Sequence, residues 1–148
     1  MSSHFTSLIE AAKAGNAAET ARLLNDAPKP VLEARDGQHG ATALCWASQN
    51  GHESCVGRLV AAGADVNAAR KDGATPVSIA SEKGNEGCVD RLVAAGADVN
   101  AAMNGGATPV LVASQEGNEG CVDRLVAAGA DVNAVSYTHL TLPTICSV

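Results

Sequence analysis

Between Asp72 and Ala101 the apolar positions fall into two short helical runs with polar punctuation around them. Thr75 sits where an N-cap belongs, and Pro76 follows at the first helical position, where its missing N–H costs nothing. These residues predict a helix over Val77–Lys83, ended by Gly84. Asn85 is placed to cap a second helix, Glu86–Ala95, in which Cys88, Val89, Leu92 and Val93 recur at helical spacing and so face inward. Gly96 predicts a left-handed end. Asp98, Val99 and Asn100 predict an extended exit, and Asp72-Gly73 supplies the turn before the unit. Each helix has about two or three turns, below the roughly 12–15 residues at which isolated helices become marginal. Stacking must hold them.

The pattern returns every 33 residues, as at Gly40, Gly73 and Gly106, at Cys55, Cys88 and Cys121, and at Asn67, Asn100 and Asn133. Gly73–Ala101 and Gly106–Ala134 differ at only four of 29 aligned positions, so the chain is read as a stacked array. Near the start, Ser7 with Glu10 fits a capping box opening a helix Leu8–Ala14. Gly15 ends it, and Glu19–Asn25 forms its partner, followed by an exit stiffened by Pro28 and Pro30. The expected organisation is a tail over 1–6, an array over 7–134 divided as 7–34, 35–68, 69–101 and 102–134, and a segment 135–148 outside the pattern.

Turn, TP, short helix, Gly, second helix, GADVN: this order of signals over Ser7–Ala134 resembles the ankyrin repeat. The resemblance implies an all-α repeat solenoid of helix-turn-helix pairs joined by β-hairpin-like turns. The chain departs from the family where a His usually follows TPL. Cys45, Ser78 and Leu111 stand there, so hydrogen bonds between neighbouring turns are expected to be absent or altered. Gly57 lies within a second helix, at a cost of about 1 kcal/mol relative to Ala.

After Ala134 the pattern stops in mid-unit. VSYTHLTLPT resembles a translated sequencing-adapter end, so Val135–Val148 is expected to be foreign to the protein and the native array longer. A natural divergent cap with a THLTL strand is the rival reading.

Composition narrows the class further. The chain is 46% hydrophobic with one Trp, one Tyr and one Phe, so its core rests on Ala, Val and Leu, which suit thin helices packed closely. A net charge of −6 with no basic stripe argues against nucleic acid or an anionic membrane as partner. The absence of a signal-like or membrane-spanning run predicts an intracellular protein, cytoplasmic with the nucleus left open; separately, a monomer is expected. Three of the five cysteines occupy one repeat position, about 10 Å apart by helix diameter, too far for a disulfide or a shared metal.

Catalytic chemistry finds no constellation. His4, His39, His52 and His139 share no repeat position, and the glycines form no phosphate-binding pattern. No enzyme activity, cofactor or metal is expected. Asp90 with Arg91 and Asp123 with Arg124, together with Arg58, read as a solvated ladder. Trp46 reads as core, since it shares its position with Ile79 and Val112, with an interface anchor as the rival reading.

The resemblance implies a protein-binding scaffold whose concave face, of turn tips and first helices, contacts a protein partner. Carried over by position, the candidates are Gln38, His39, Ala41, Gln49 and Asn50; Lys71, Asp72, Ala74, Glu82 and Lys83; Asn104, Gly105, Ala107, Gln115 and Glu116. Alternatively the array is the targeting or regulatory arm of a larger enzyme or channel whose working domain followed. A third reading takes the near-identical units as recent duplication or an assembly artefact, with little selected surface.

Overall fold

A computed structural model of the chain describes residues 2–26 and 32–131. Val135–Val148, read above as foreign, lies outside them. The helices are α1 (Ser2–Ala14), α2 (Ala17–Asp26), α3 (Ala43–Gln49), α4 (Glu53–Ala61), α5 (Pro76–Lys83), α6 (Glu86–Ala94), α7 (Pro109–Gln115) and α8 (Glu119–Ala127). No strand occurs among the described residues, and the fold is the all-α repeat solenoid expected. Odd-numbered helices pack each on the next, even-numbered helices do the same, and each odd helix closes against the even one that follows it. The result is two layers of short helices with one core running along their seam.

That seam is lined by Leu44, Val56, Leu59, Val77, Val89, Leu92, Val110 and Leu125, all fully buried. Each is worth roughly 1.5–3 kcal/mol by apolar burial. The interior Ala47, Ala80 and Ala113 let neighbouring backbones approach. Thr42, Thr75 and Thr108 cap the first helices, their hydroxyls accepting the N–H of Cys45, Ser78 and Leu111 at 3.3–3.4 Å. At Thr75 the box is reciprocal, because Ser78 Oγ accepts the Thr75 N–H at 2.8 Å. At Ser78 the residue standing where the family has His therefore serves its own helix, whereas Cys45 Sγ donates to the Ala68 carbonyl at 3.5 Å.

Four local expectations change. First, α1 begins at Ser2, so Ser7 lies inside a helix rather than at its cap, and residues 2–6 are helical rather than a tail. Second, Asn85 and Asn118 occupy N-cap positions but make no cap bond with their side chains. Asn85 Nδ2 instead donates back to the Ser48 and Gln49 carbonyls at 2.8 and 3.1 Å, and Asn118 Nδ2 to those of Ser81 and Glu82 at 2.8 and 2.9 Å. A helix leaves its last carbonyls without intrahelical donors, and the next unit supplies them. Gly84 makes room for this: its φ is 76°, and a β-carbon there would lie 3.0 Å from Asn118 Oδ1.

Third, GADVN makes a turn, not an extended exit. Asp98 Oδ1 accepts the Asn100 N–H at 2.9 Å, the side-chain turn that Asp favours. The Asn then reaches onward, with Asn67 Oδ1 accepting the Asp98 N–H at 2.8 Å and Asn100 Oδ1 that of Asp131 at 2.7 Å. Fourth, Gly57 is more than a weak helix former. A β-carbon there would stand 2.8 Å from Arg91 Nη1, crowding a guanidinium that belongs to the next unit.

Candidate functional site

Three turn tips project beside the odd-numbered helices. Each closes on itself through a backbone hydrogen bond: Asp36 to Ala41, Arg70 to Ala74 and Met103 to Ala107, at 2.8–2.9 Å. Successive tips are also tied together. Lys71 N–H donates to the His39 carbonyl and Asn104 N–H to that of Asp72, both at 3.0 Å. Lys71 Nζ reaches the Gly37 carbonyl, and Asn104 Nδ2 that of Lys71. The tips thus form one edge instead of three independent loops.

Along this edge Gln38, His39, Lys71, Asp72, Asn104 and Gly105 are exposed, and at the ends of α3, α5 and α7 so are Asn50, Glu82, Lys83, Gln115 and Glu116. Gln49 and Ala107 are half-buried. Ala41 and Ala74 are not available: both are 2% exposed and pack with Cys45 and Ile79 in a small second core beneath the tips. Their place after the turn glycine carries the side chain inward, so the positional carry-over fails there.

Trp46, on α3, is half-buried and packs against both apolar clusters. Its indole N–H donates to Asp36 Oδ2 at 2.7 Å. The His39 ring meets it edge-on at 5.8 Å between centroids, and the Lys13 ammonium lies 4.3 Å from the ring centre. Such a cation contributes about 0.5–1 kcal/mol at an exposed ring. The equivalent Ile79 and Val112 are buried, so the position of Trp46 is a core position, as the first of the two readings had it, and its size leaves part of the ring at the surface.

Asp36 is the hub. Burial alone would raise its carboxyl, but the N–H groups of His39, Gly40 and Ala41 and the Trp46 indole outweigh that and hold it below the usual carboxylate range. Arg70 joins tip to helix, donating to Asp72 at 2.9 Å and to Gln49 Oε1 at 3.2 Å. Burial would likewise raise Asp72, and the Arg70 guanidinium holds it low. Sequence reasoning did not select Lys13, Asp36 or Arg70. Lys13 lies in another unit, and nothing in the repeat pattern aims it at position 46.

On the opposite layer the charged residues pair between units. Arg91 bonds Glu53 at 3.1 Å, while Arg124 bonds Glu86 at 3.0 Å and Asp90 at 2.8 Å. The ladder is real, but sequence neighbours do not form it, because adjacent positions on a helix do not face each other. As exposed pairs they are worth about 0–1 kcal/mol each.

His52 Nε2 lies 3.1 Å from the Lys13 carbonyl, joining the first two units as Asn85 and Asn118 join later ones. Cys45, Cys55, Cys88 and Cys121 are buried free thiols. Burial, with the Glu53 charge added, pushes Cys88 up to about 11. Among the described residues no group of three His, Cys, Asp or Glu could hold a metal ion, and no helix is long and apolar enough to cross a membrane. Compared with known families, residues 2–70 and 56–136 match the model described as ankyrin repeats in three copies.

Proposed function

The chain belongs to the ankyrin-repeat family, and from that premise we propose that it is a scaffold binding a protein partner through the face made by its turn tips and odd-numbered helices. Ankyrin repeats are generally protein–protein interaction modules. The observation that carries this choice of face is Trp46, the one Trp of the chain, held at half-burial by Asp36, His39 and Lys13 beside a continuous edge of tips. Large amphipathic side chains so placed are the usual anchors of interfaces. Tips already bonded to one another lose little freedom on binding, which is where a preorganised scaffold gains affinity. The surrounding Lys13, His39 and Lys71, with Glu82, Lys83 and Glu116 further along, suit a partner offering an apolar anchor flanked by charges of both signs.

The test is affinity enrichment from the source cells with the wild-type chain, with Trp46→Ala/Lys71→Glu, and with the even-layer variant Asp90→Lys. Loss of the same proteins from the first variant, and their retention on the second, is the expected pattern. Equal enrichment on wild type and Trp46→Ala/Lys71→Glu removes this face as the binding surface.

A further inference from the structure

The even-numbered layer carries a second candidate surface, independent of the tips. Two grooves there are the same groove one unit apart. The groove between α4 and α6 is lined by Gly57, Val60, Ala61, Arg91, Ala94 and Ala95 and measures about 230 Å³. That between α2 and α4, lined by Ala21, Leu24, Asn25, Gly57, Arg58, Ala61 and Ala62, measures about 560 Å³. Aligning the GN and GH pairs that open the even helices makes Ala21 the counterpart of Gly57, Leu24 of Val60 and Arg58 of Arg91.

The arginines differ in what they hold. Arg124 takes two carboxylates from the preceding unit, Glu86 and Asp90. Arg91 takes one, Glu53, because Gly57 stands where Asp90 would be. For Arg58 the counterparts of Glu53 and Gly57 are Ala17 and Ala21, and among the described residues no hydrogen bond or ion pair engages its guanidinium. The array thus carries an arginine at this position four times: Arg22 bonds Glu19 in its own helix, Arg91 and Arg124 take carboxylates from the preceding unit, and Arg58 has the wider groove and the apolar floor but no acid from the unit before it.

We propose that the α2–α4 groove receives an acidic segment of a partner protein, with a Glu or Asp carboxylate on Arg58 and an adjacent apolar side chain against Leu24 and Ala61. Arg91 and Arg124 supply the internal precedent for that pairing, and a guanidinium holds a carboxylate with directional, charge-assisted bonds.

The probe is a fluorescein-labelled peptide of alternating Leu and Glu pairs, titrated by anisotropy to about 1 mM, a range that covers weak association. Its Gln counterpart is the control. The wild type should bind the Glu peptide and not the Gln peptide, and Arg58→Ala should weaken binding roughly tenfold, as truncation of a charge partner does. Ala21→Asp should weaken it equally, by presenting an internal acid to Arg58 while leaving that arginine in place, and its unchanged circular dichroism would show that folding is not the cause. Lys71→Gln, an exposed change on the tips that empties no core position, should bind normally, which separates this site from the tip face. The proposal is overturned if neither groove variant affects binding, if the Gln peptide binds as well, if binding is lost in Lys71→Gln, or if no binding is seen. It is also overturned if sedimentation shows the groove filled by a second copy in an association that Arg58→Ala abolishes.

Discussion

Asn118 decides whether these units are held by their own caps or by bonds thrown back to the preceding unit. Its Nδ2 donates to two carbonyls at the end of α5, at 2.8 and 2.9 Å, and its side chain makes no bond at the start of α8. Each neutral hydrogen bond contributes about 0.5–1.5 kcal/mol net, so Asn118→Ala should cost about 1–2 kcal/mol, since water reaches part of the site. The informative variant is Asn118→Asp. As a cap, Asp equals Asn, and the change would be neutral. As a staple it fails, because a carboxylate cannot donate and is repelled by the carbonyls it faces. Urea unfolding followed by far-UV circular dichroism should therefore show Asp at least as destabilised as Ala, with the loss in the coupling of the fourth unit to the third. A neutral Asp alongside a destabilised Ala would refute the staple, and so would an Ala variant costing less than about 0.5 kcal/mol, the lower edge of a hydrogen bond's worth.

Other consequences follow from single groups. The Asp36 carboxyl is held below its unfolded value, so its stabilising effect is complete above about pH 4 and is lost as pH falls through the lower folded value. In a His39→Gln variant, so that no imidazole lies against the ring, fluorescence of Trp46, bonded to that carboxylate, should be flat from pH 7 to about 4 and change only below; a midpoint at or above that value would contradict the hub. Ser48 Oγ is buried and makes no hydrogen bond, so Ser48→Ala should be neutral or raise the unfolding free energy by up to about 1 kcal/mol, and a clear loss would show an undetected bond. Cys88, buried and with its thiol pushed up to about 11, should react with a disulfide reagent only at the rate of opening in native protein at pH 8. Prompt modification would contradict its burial.

Much of this fold was legible because the repeat states each local signal more than once. Thr75-Pro76, Gly84, Gly96 and the inward Cys88, Val89 and Leu92 each act within a single turn of chain, and local chemistry placed them correctly. What escaped were residues whose role lies in the neighbouring unit. Asn85 has the right identity for a cap and the wrong partner, and no reading of one unit distinguishes the two. The Asp of GADVN bonds locally while its Asn bonds forward, so a motif read as an exit strand is a turn and a clasp. The start of α1 was missed because a capping-box pattern at Ser7 and Glu10 also fits a helix interior. On the candidate face the exposed tip residues followed from position, but Ala41 and Ala74 did not, since burial beneath the tips depends on Cys45 and Ile79 in three dimensions. Lys13 over Trp46 is a contact between units that share no pattern at those positions.

The central claim, that the tip and odd-helix face engages the partner, is tested most directly by photo-crosslinking from single positions. A benzophenone amino acid at Gln49, next to Arg70 and Asn50 on that face, should give a discrete protein adduct in the source cells. The same group at Ala127, exposed on the even-numbered helix α8 and away from both grooves, should not give that adduct. A partner captured from position 127 and absent from position 49 would contradict the account.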